Sequence, residues 1–492
     1  MSHILALDQG TSSSKAFIFN LTGRVVGSAQ HEFDTTFPAD GWVEQDPEVL
    51  WRTTLLAGRE ALTDAGLKGE DIAAIGITNQ RETTLVWDRE TGQCLHSAIV
   101  WQDRRTADRC DLMRMDGMEE TIASTTGLLI DPFFSGTKLA WLLDNVDGLR
   151  ARAEAGRVAF GTVDTFLIWR LTKGAHHATD ATNASRTLLF DIGSQCWSNR
   201  LTNYFNVPTN LLPEVRDCAA NFGVADSEWF GAPIPIFGVA GDQQAALIGQ
   251  GCFRPGMAKS TYGTGCFAMI NTGPEQVRSS QRLLTTVAYR LDGRTTYALE
   301  GSIFSAGVAV KWLRDQLGLV VDAADTEAAA HRTGGDSGGV YVVPAFTGLG
   351  APHWAPAARG LIAGLTLATN RDQLITATLQ SVAYQSQELI AAMAEDGARM
   401  ANLRVDGGMV VNEWLCQFLA DVLNLPVERP EITETTALGA ATLAALGAGL
   451  VPDLDAATQL WNLDREYLPK MAPLRREELL LGWREAVDRA LA

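Results

Sequence analysis

Two stretches decide the fold: residues 6–20, ALDQGTSSSKAFIFN, and residues 259–273, KSTYGTGCFAMINTG. Each places a Gly-Thr turn between two short apolar strands. The first joins strands predicted at 4–7, 16–19 and 24–29 through tight turns at Asp8-Gln9-Gly10 and Leu21-Thr22-Gly23. The second joins 257–261 to 266–271 through Gly263-Thr264-Gly265, with a further strand at 295–300. The repetition predicts two domains of similar topology, 1–250 and 251–492.

Working outward, residues 46–62 predict a helix, with Asp46 as N-cap and Pro47 in its first turn. Strands follow at 73–78 and 83–87, and later at 340–343 and 403–405. Strands and helices alternating at this spacing predict mixed α/β sheets with covered faces. Residues 475–491 predict an amphipathic surface helix.

The 492 residues leave room for several cores at ~100–200 residues per domain. With 46% hydrophobic and 20% charged residues, the chain has the composition of a folded protein. Its net charge of −18 argues against nucleic acid or anionic lipid as a general partner. A small anion held by a few amides and one cation is still allowed. The seven cysteines, at 94, 110, 196, 218, 252, 266 and 416, form no C-x-x-C pair and predict reduced thiols and a cytoplasmic location. The N-terminus enters a strand without a basic region, so no signal peptide is expected. Two uncharged runs, 337–358 and 435–452, are long enough to consider as membrane spans. Prolines 344, 352 and 356 break the first; the second, rich in Ala, Gly and Thr, predicts a buried helix instead.

Without a Gly-Lys dipeptide the chain has no Walker A loop. Its G-x-G pairs lack the third glycine of a dinucleotide fingerprint, and His176-His177 reads as a solvated loop. What remains is three Gly-rich turns, each directly after a strand. In Asp8-Gln9-Gly10-Thr11-Ser12-Ser13-Ser14-Lys15, exposed amides, hydroxyls and one cation suit phosphate oxygens. A carboxylate at a strand end, Asp8, suits hydrated Mg²⁺. Tyr262-Gly263-Thr264-Gly265 is the matching turn of the second half. Val405-Asp406-Gly407-Gly408 leads into a helix beginning near Asn412, whose N-terminus favours phosphate. Each turn alone also fits an ordinary loop; three together favour a nucleotide clamped between domains.

A second cluster suits a small polar substrate. Asn79-Gln80-Arg81-Glu82 and Gly241-Asp242-Gln243-Gln244 each end an apolar strand, and Trp101 ends another. Strand ends are where open α/β sheets bind ligands. Asp242 is the candidate acceptor of a substrate hydroxyl proton. Arg81-Glu82 fits a structural ion pair equally well, and Asp242 fits a strand-capping loop residue.

At these residues the chain resembles the FGGY carbohydrate kinases over essentially its full length, and within them the branch that phosphorylates glycerol. Residues 133–145 (FFSGTKLAWLLDN) and 360–380 (GLIAGLTLATNRDQLITATLQ) fit the two signatures of the family. Further segments add to the match, among them GITNQRETTLVW, VWQDRRTA, TDATNASRTLLF, AGDQQAAL, YGTGCF and VDGGMVVNEW. The resemblance implies two ribonuclease-H-like domains of the actin-type ATPase fold, with a ligand cleft between them. It implies ATP and Mg²⁺, glycerol as phosphoryl acceptor giving sn-glycerol 3-phosphate, and a homodimer or homotetramer. Arg81, Glu82, Trp101, Phe133, Asp242, Gln243 and Phe267 would meet glycerol, with Asp242 as base, and Asp8 and Asp242 would face the metal. Thr11, Ser12, Ser13, Lys15, Thr264, Gly307, Lys311, Gly408 and Asn412 would line the nucleotide site. The chain departs from the family's usual pattern at Phe133 (usually Tyr), Lys15 (usually Arg) and Lys311 (commonly Gln). Two other readings stay open: a kinase of another polyol or sugar such as erythritol or a ketopentose, and a non-catalytic ATPase of the actin or chaperone type.

Overall fold

A computed structural model describes residues 2–355 and 357–492. The first quoted stretch forms β1 (His3–Gln9) and β2 (Ser13–Asn20), followed by β3 (Val25–Glu32). These three run antiparallel, while β4 (Ile72–Asn79) and then β6 (Ile234–Gly241) add in parallel on the other side of β1. With the short β5 (Val224–Ala225) at the edge, the sheet order is β5-β6-β4-β1-β2-β3.

The second stretch forms β7 (Ala258–Tyr262) and β8 (Cys266–Gly273). With β9 (Leu284–Leu291), β10 (Arg294–Ile303), β11 (Leu403–Asp406), β12 (Val427–Pro430) and β13 (Leu463–Tyr467), the order is β9-β10-β8-β7-β11-β12-β13. Here too an antiparallel set, β7, β8 and β10, is extended by parallel strands β11 and β12. The expected repeat of topology is therefore present. The halves differ in what they insert. Some 150 residues separate β4 from β6, and they carry Trp101, Phe133 and Arg186.

Helices cover the faces. Asp46 caps α1 (Pro47–Ala65) by accepting from the Glu48 amide at 2.9 Å, as its place before Pro47 predicts. In the rest of the chain, α2 (Asp242–Gly249), α3 (Gly307–Asp315), α4 (Arg371–Glu395), α5 (Glu413–Leu423) and α6 (Thr435–Gly447) precede the terminal α7 (Pro473–Leu491). The uncharged run 435–452 contains α6, which is buried as expected. Its Ala437, Ala440, Ala441 and Ala444 pack on Ile4, Ala6 and Ala74 of the first sheet. It also crosses α2 so closely that a Cβ on Gly439 would lie 1.8 Å from the Ala245 carbonyl oxygen, and one on Gly249 1.9 Å from that of Thr435. Small residues there are a packing requirement at the junction of the two halves. Among the described residues no helix is long and apolar enough to cross a membrane. All seven cysteines are free.

His177 corrects one expectation. It lies in a loop but is half-buried against Trp87 and Trp169 and bonded through Nε2 to the Phe160 carbonyl at 2.8 Å, rather than fully solvated. Burial pulls its pKa down to about 4, so it is a neutral packing residue.

Candidate active site

Register brings the candidate residues together. Gln9 lies opposite Asn79, and Asn79 opposite Gly241, so β1, β4 and β6 end at one edge. Asp8, the Asn79–Glu82 segment and Asp242 emerge there. The second sheet repeats the arrangement, with Thr261 of β7 opposite Asp406 of β11. Both carboxyl-terminal edges are thus the places where a ligand meets freed backbone groups and side chains.

Arg81 and Glu82 join a buried chain of alternating charge. Both guanidinium Nη atoms of Arg81 grip the Glu300 carboxylate, at 2.6 and 2.9 Å, and its Nε meets Asp242 Oδ1 at 3.1 Å. Arg186 links the other members, donating to Glu82 at 2.6 Å and to Glu300 at 3.1 Å. Arg81, Glu82, Arg186 and Glu300 are all at most 3% exposed. Burial raises the Glu82 carboxyl, with Arg186 and Arg81 opposing it. Burial likewise penalises charged Glu300, but Arg186 and Arg81 overcome it and bring its pKa down to about 2. For Arg81, burial is outweighed by Glu300, Glu82 and Asp242, so it stays cationic. Glu82 has φ +60°, a left-handed conformation rarely adopted by residues other than glycine. Its carbonyl is held there by the Thr84 and Ser135 hydroxyls, both at 3.0 Å. The expected Arg81-Glu82 ion pair is only a 4.0 Å contact; each has a closer partner elsewhere.

One apolar wall stands beside this chain. Trp101 packs edge-on against Phe133, ring centroids 5.4 Å apart, and its indole N–H donates to Thr11 Oγ1 at 2.9 Å. That bond ties the wall to the first Gly-rich turn. On the other side, buried Lys259 contacts Gln243 Oε1 and donates to the Phe267 carbonyl at 3.4 Å. Burial lowers the Lys259 pKa, against the pull of Asp406 and Asp242.

The first turn closes by a Gly10 amide bond to the Ser13 carbonyl at 2.9 Å. Ser12 is exposed at its tip and Ser13 is buried. Lys15 reaches across to Glu434, just before α6, at 3.0 Å. Asp8 accepts no hydrogen bond or ion pair at its carboxylate among the described residues. Burial drives its pKa to about 7, with Glu434 and Asp242 adding to the rise and Lys15 opposing it.

On the second sheet, exposed Thr264 accepts through its carbonyl from the Ala306 and Val308 amides, at 3.1 and 3.0 Å. Gly307 opens α3 and donates to the Gly263 carbonyl at 2.9 Å. Asn412 caps α5, accepting from the Leu415 amide at 2.8 Å. A Cβ on Gly408 would meet nothing within 4 Å, so that backbone faces open space. Lys311 is exposed on α3. Gly407, before Gly408, has φ +90° and ψ 171°, where a Cβ would lie 2.5 Å from the Tyr262 carbonyl oxygen. Such backbone is essentially restricted to glycine and costs about 1–3 kcal/mol otherwise. Gly407→Ala is accordingly expected to lower the melting temperature in thermal unfolding; an unchanged melting temperature would contradict this.

Sequence reasoning missed Glu300, Arg186, Lys259 and Glu434. Arg81 and Glu300 are 219 residues apart, Arg186 and Glu82 104, and Lys15 and Glu434 419, whereas Lys259 lies only 16 residues from Gln243. Only Glu300 carried a local signal, as a charge directly after the apolar run Tyr297–Leu299 inside β10.

Comparison with known proteins gives a consistent likeness. Residues 3–249 match the N-terminal domain of the FGGY family of carbohydrate kinases, and residues 258–448 its C-terminal domain. The chain is 60% identical to glycerol kinase 1 of Pseudomonas aeruginosa over 490 residues, 99% of each chain. It is 58% identical to a glycerol kinase of Alcanivorax borkumensis over 490 residues, 99% of this chain and 98% of the other. Among solved structures, a Plasmodium falciparum glycerol kinase with ADP superposes with a TM-score of 0.92 at 36% identity, covering 100% of this chain and 99% of that one.

Proposed function

The chain belongs to the FGGY family of carbohydrate kinases, and we propose that it transfers the γ-phosphoryl group of ATP to glycerol, giving sn-glycerol 3-phosphate. The observation that carries the reading is that Asp242, held by Arg81 at 3.1 Å, leaves the same sheet edge as Asp8 and the first Gly-rich turn, while Arg81 also grips Glu300 of the second sheet, whose β7 and β11 run into the other two turns. In this reading Asp242 accepts the proton of the attacking hydroxyl. Arg81, Glu82 and Gln243 bind the polyol oxygens, and Trp101, Phe133 and Phe267 cover its carbons. Thr11, Ser12, Ser13 and Lys15 hold phosphate from the first half, and Thr264 from the second. Gly307, Lys311, Gly408 and Asn412 line the remainder of the nucleotide site. Holding donor and acceptor together in a dry cleft supplies much of the rate.

Asp8 and Asp242 suit Mg²⁺, which takes one or two carboxylates and leaves its other positions to phosphate and water. Among the described residues no group of three or more His, Cys, Asp or Glu could hold a metal. Asp8, unpartnered and raised in pKa beside another carboxylate, is a group that a cation would relieve. When bound, Mg²⁺ would neutralise charge on the transferring phosphate. The proposal extends to domains at 1–250 and 251–492, a homodimer or homotetramer, and a cytoplasmic location, the last supported by the seven free thiols.

ATP turnover with and without glycerol tests the reading: ADP formation is expected only with glycerol, and equal turnover in its absence would contradict it. Phe133 gives a finer test. Its ring packs on Trp101 but brings no hydroxyl to the site. Phe133→Tyr restores one hydrogen bond, about 0.5–1.5 kcal/mol, so KM for glycerol should fall about 2–10-fold. An unchanged or higher KM would refute that assignment.

A further inference from the structure

Lys259 is fully buried on β7, where the second half of the chain meets α2 of the first. Its ammonium has three hydrogens and three oxygen neighbours: Gln243 Oε1, Thr261 Oγ1 at 2.9 Å and the Phe267 carbonyl at 3.4 Å. An ammonium only donates, so the Gln243 atom facing it must be the amide oxygen. The amide nitrogen is then turned the other way. Gln243 is 7% exposed, and its Nε2 makes no hydrogen bond among the described residues.

We propose that Lys259 is a positioning residue for the phosphoryl acceptor: it locks the Gln243 amide so that only N–H donors face the cleft. The consequence is directional. A hydroxyl of the acceptor between Gln243 and Asp242 accepts from Gln243, and its own hydrogen is left to point at the Asp242 carboxylate. The proton to be removed is thereby aimed at its acceptor before transfer begins. The Phe267 carbonyl, held by the same ammonium, fixes Phe267 relative to that amide. This inference rests on the reading of Asp242 and Gln243 as the acceptor site.

The test is steady-state kinetics on the full chain with ATP and glycerol, for Lys259→Met, Lys259→Arg, Gln243→Ala, Gln243→Glu and the Lys259→Met/Gln243→Ala pair. Losing one aligned donor predicts a fall in kcat/KM for glycerol of about 10-fold in Lys259→Met, with KM for ATP changed less than about 2-fold. In the Gln243→Ala background the same substitution is expected to change kcat/KM less than about 2-fold, because the two act as one unit. Lys259→Arg, which keeps the donors, should recover most of the loss. Gln243→Glu leaves Lys259 untouched and can pair with it, yet offers no N–H. It should lose as much as Gln243→Ala, and this arm stands even if Lys259→Met does not fold. Independent effects in the double variant, or near-normal activity of Gln243→Glu, would overturn the proposal. If Gln243→Ala itself changes neither kcat nor KM for glycerol, the acceptor-site reading fails first, and the role of Lys259 with it.

Discussion

Asp242→Asn is expected to lower kcat for glycerol phosphorylation by at least ~10²-fold, the scale of losing a general base. The change is nearly isosteric. The amide oxygen it introduces can still accept from Arg81 Nε, now 3.1 Å from the carboxylate, and the residue can still open α2. An amide cannot take up the proton of the attacking hydroxyl. The loss should therefore fall mainly on kcat, with the melting temperature little changed, because Asp242 is about one-third exposed and not part of the core. Single-turnover measurement at saturating ATP and glycerol separates the chemical step from product release. A variant with near-normal single-turnover rate would remove Asp242 from the role of base.

Glu300→Gln is the second large effect, and its origin is electrostatic. Glu300, 1% exposed, accepts from Arg81 at both carboxylate oxygens and from Arg186 at Oε1. Neutralising it leaves two buried guanidinium groups sharing Glu82 and the partly exposed Asp242. Removing one partner of a buried charge network typically destabilises by about 3–5 kcal/mol. A corresponding drop in ΔG of unfolding by urea is expected, together with a lower kcat/KM for glycerol because Arg81 loses its clamp. The pH dependence follows from the carboxyl pKa, lowered from an ordinary 4.5 to about 2 in the folded protein. A depressed acid stabilises fully above its unfolded value and loses that contribution as the pH falls through the folded one. The stability gap between wild type and Glu300→Gln should stay constant from neutral pH down to about 5, then narrow between about 4.5 and 2. A gap that widens as the pH falls would contradict the network.

The two hairpins were legible because their signal is local. Apolar strands of four to six residues around Gly-Thr turns mark β1–β2 and β7–β8, and the alternation of the remaining strands with helices marks mixed sheets with covered faces, while the order of the strands rests on long-range pairing. Strand ends then pointed to Asp8, Arg81, Glu82 and Asp242. The pairing that gives those residues their character was not legible. Arg81 looked like a partner for its neighbour Glu82, but Glu82 turns to Arg186 and Arg81 to Glu300. Those choices depend on how the 150-residue insertion and the second sheet are packed, and no sequence periodicity encodes that. Lys259 was hidden for a similar reason. It stands beside Ser260 and Thr261 in a strand that is largely polar and looks like any solvent-facing lysine, although the meeting of the two halves buries it completely. The Ala- and Gly-rich composition of α6 was the opposite case, since helices that touch backbone to backbone require small residues in the sequence.

The most direct measurement is kcat/KM of the wild-type chain with ATP for glycerol, erythritol and a ketopentose, read as ADP formed and phosphorylated product recovered. The account predicts that glycerol is preferred over both, with one ADP per sn-glycerol 3-phosphate. A higher kcat/KM for either of the others, or ADP released without a phosphorylated polyol, would contradict it.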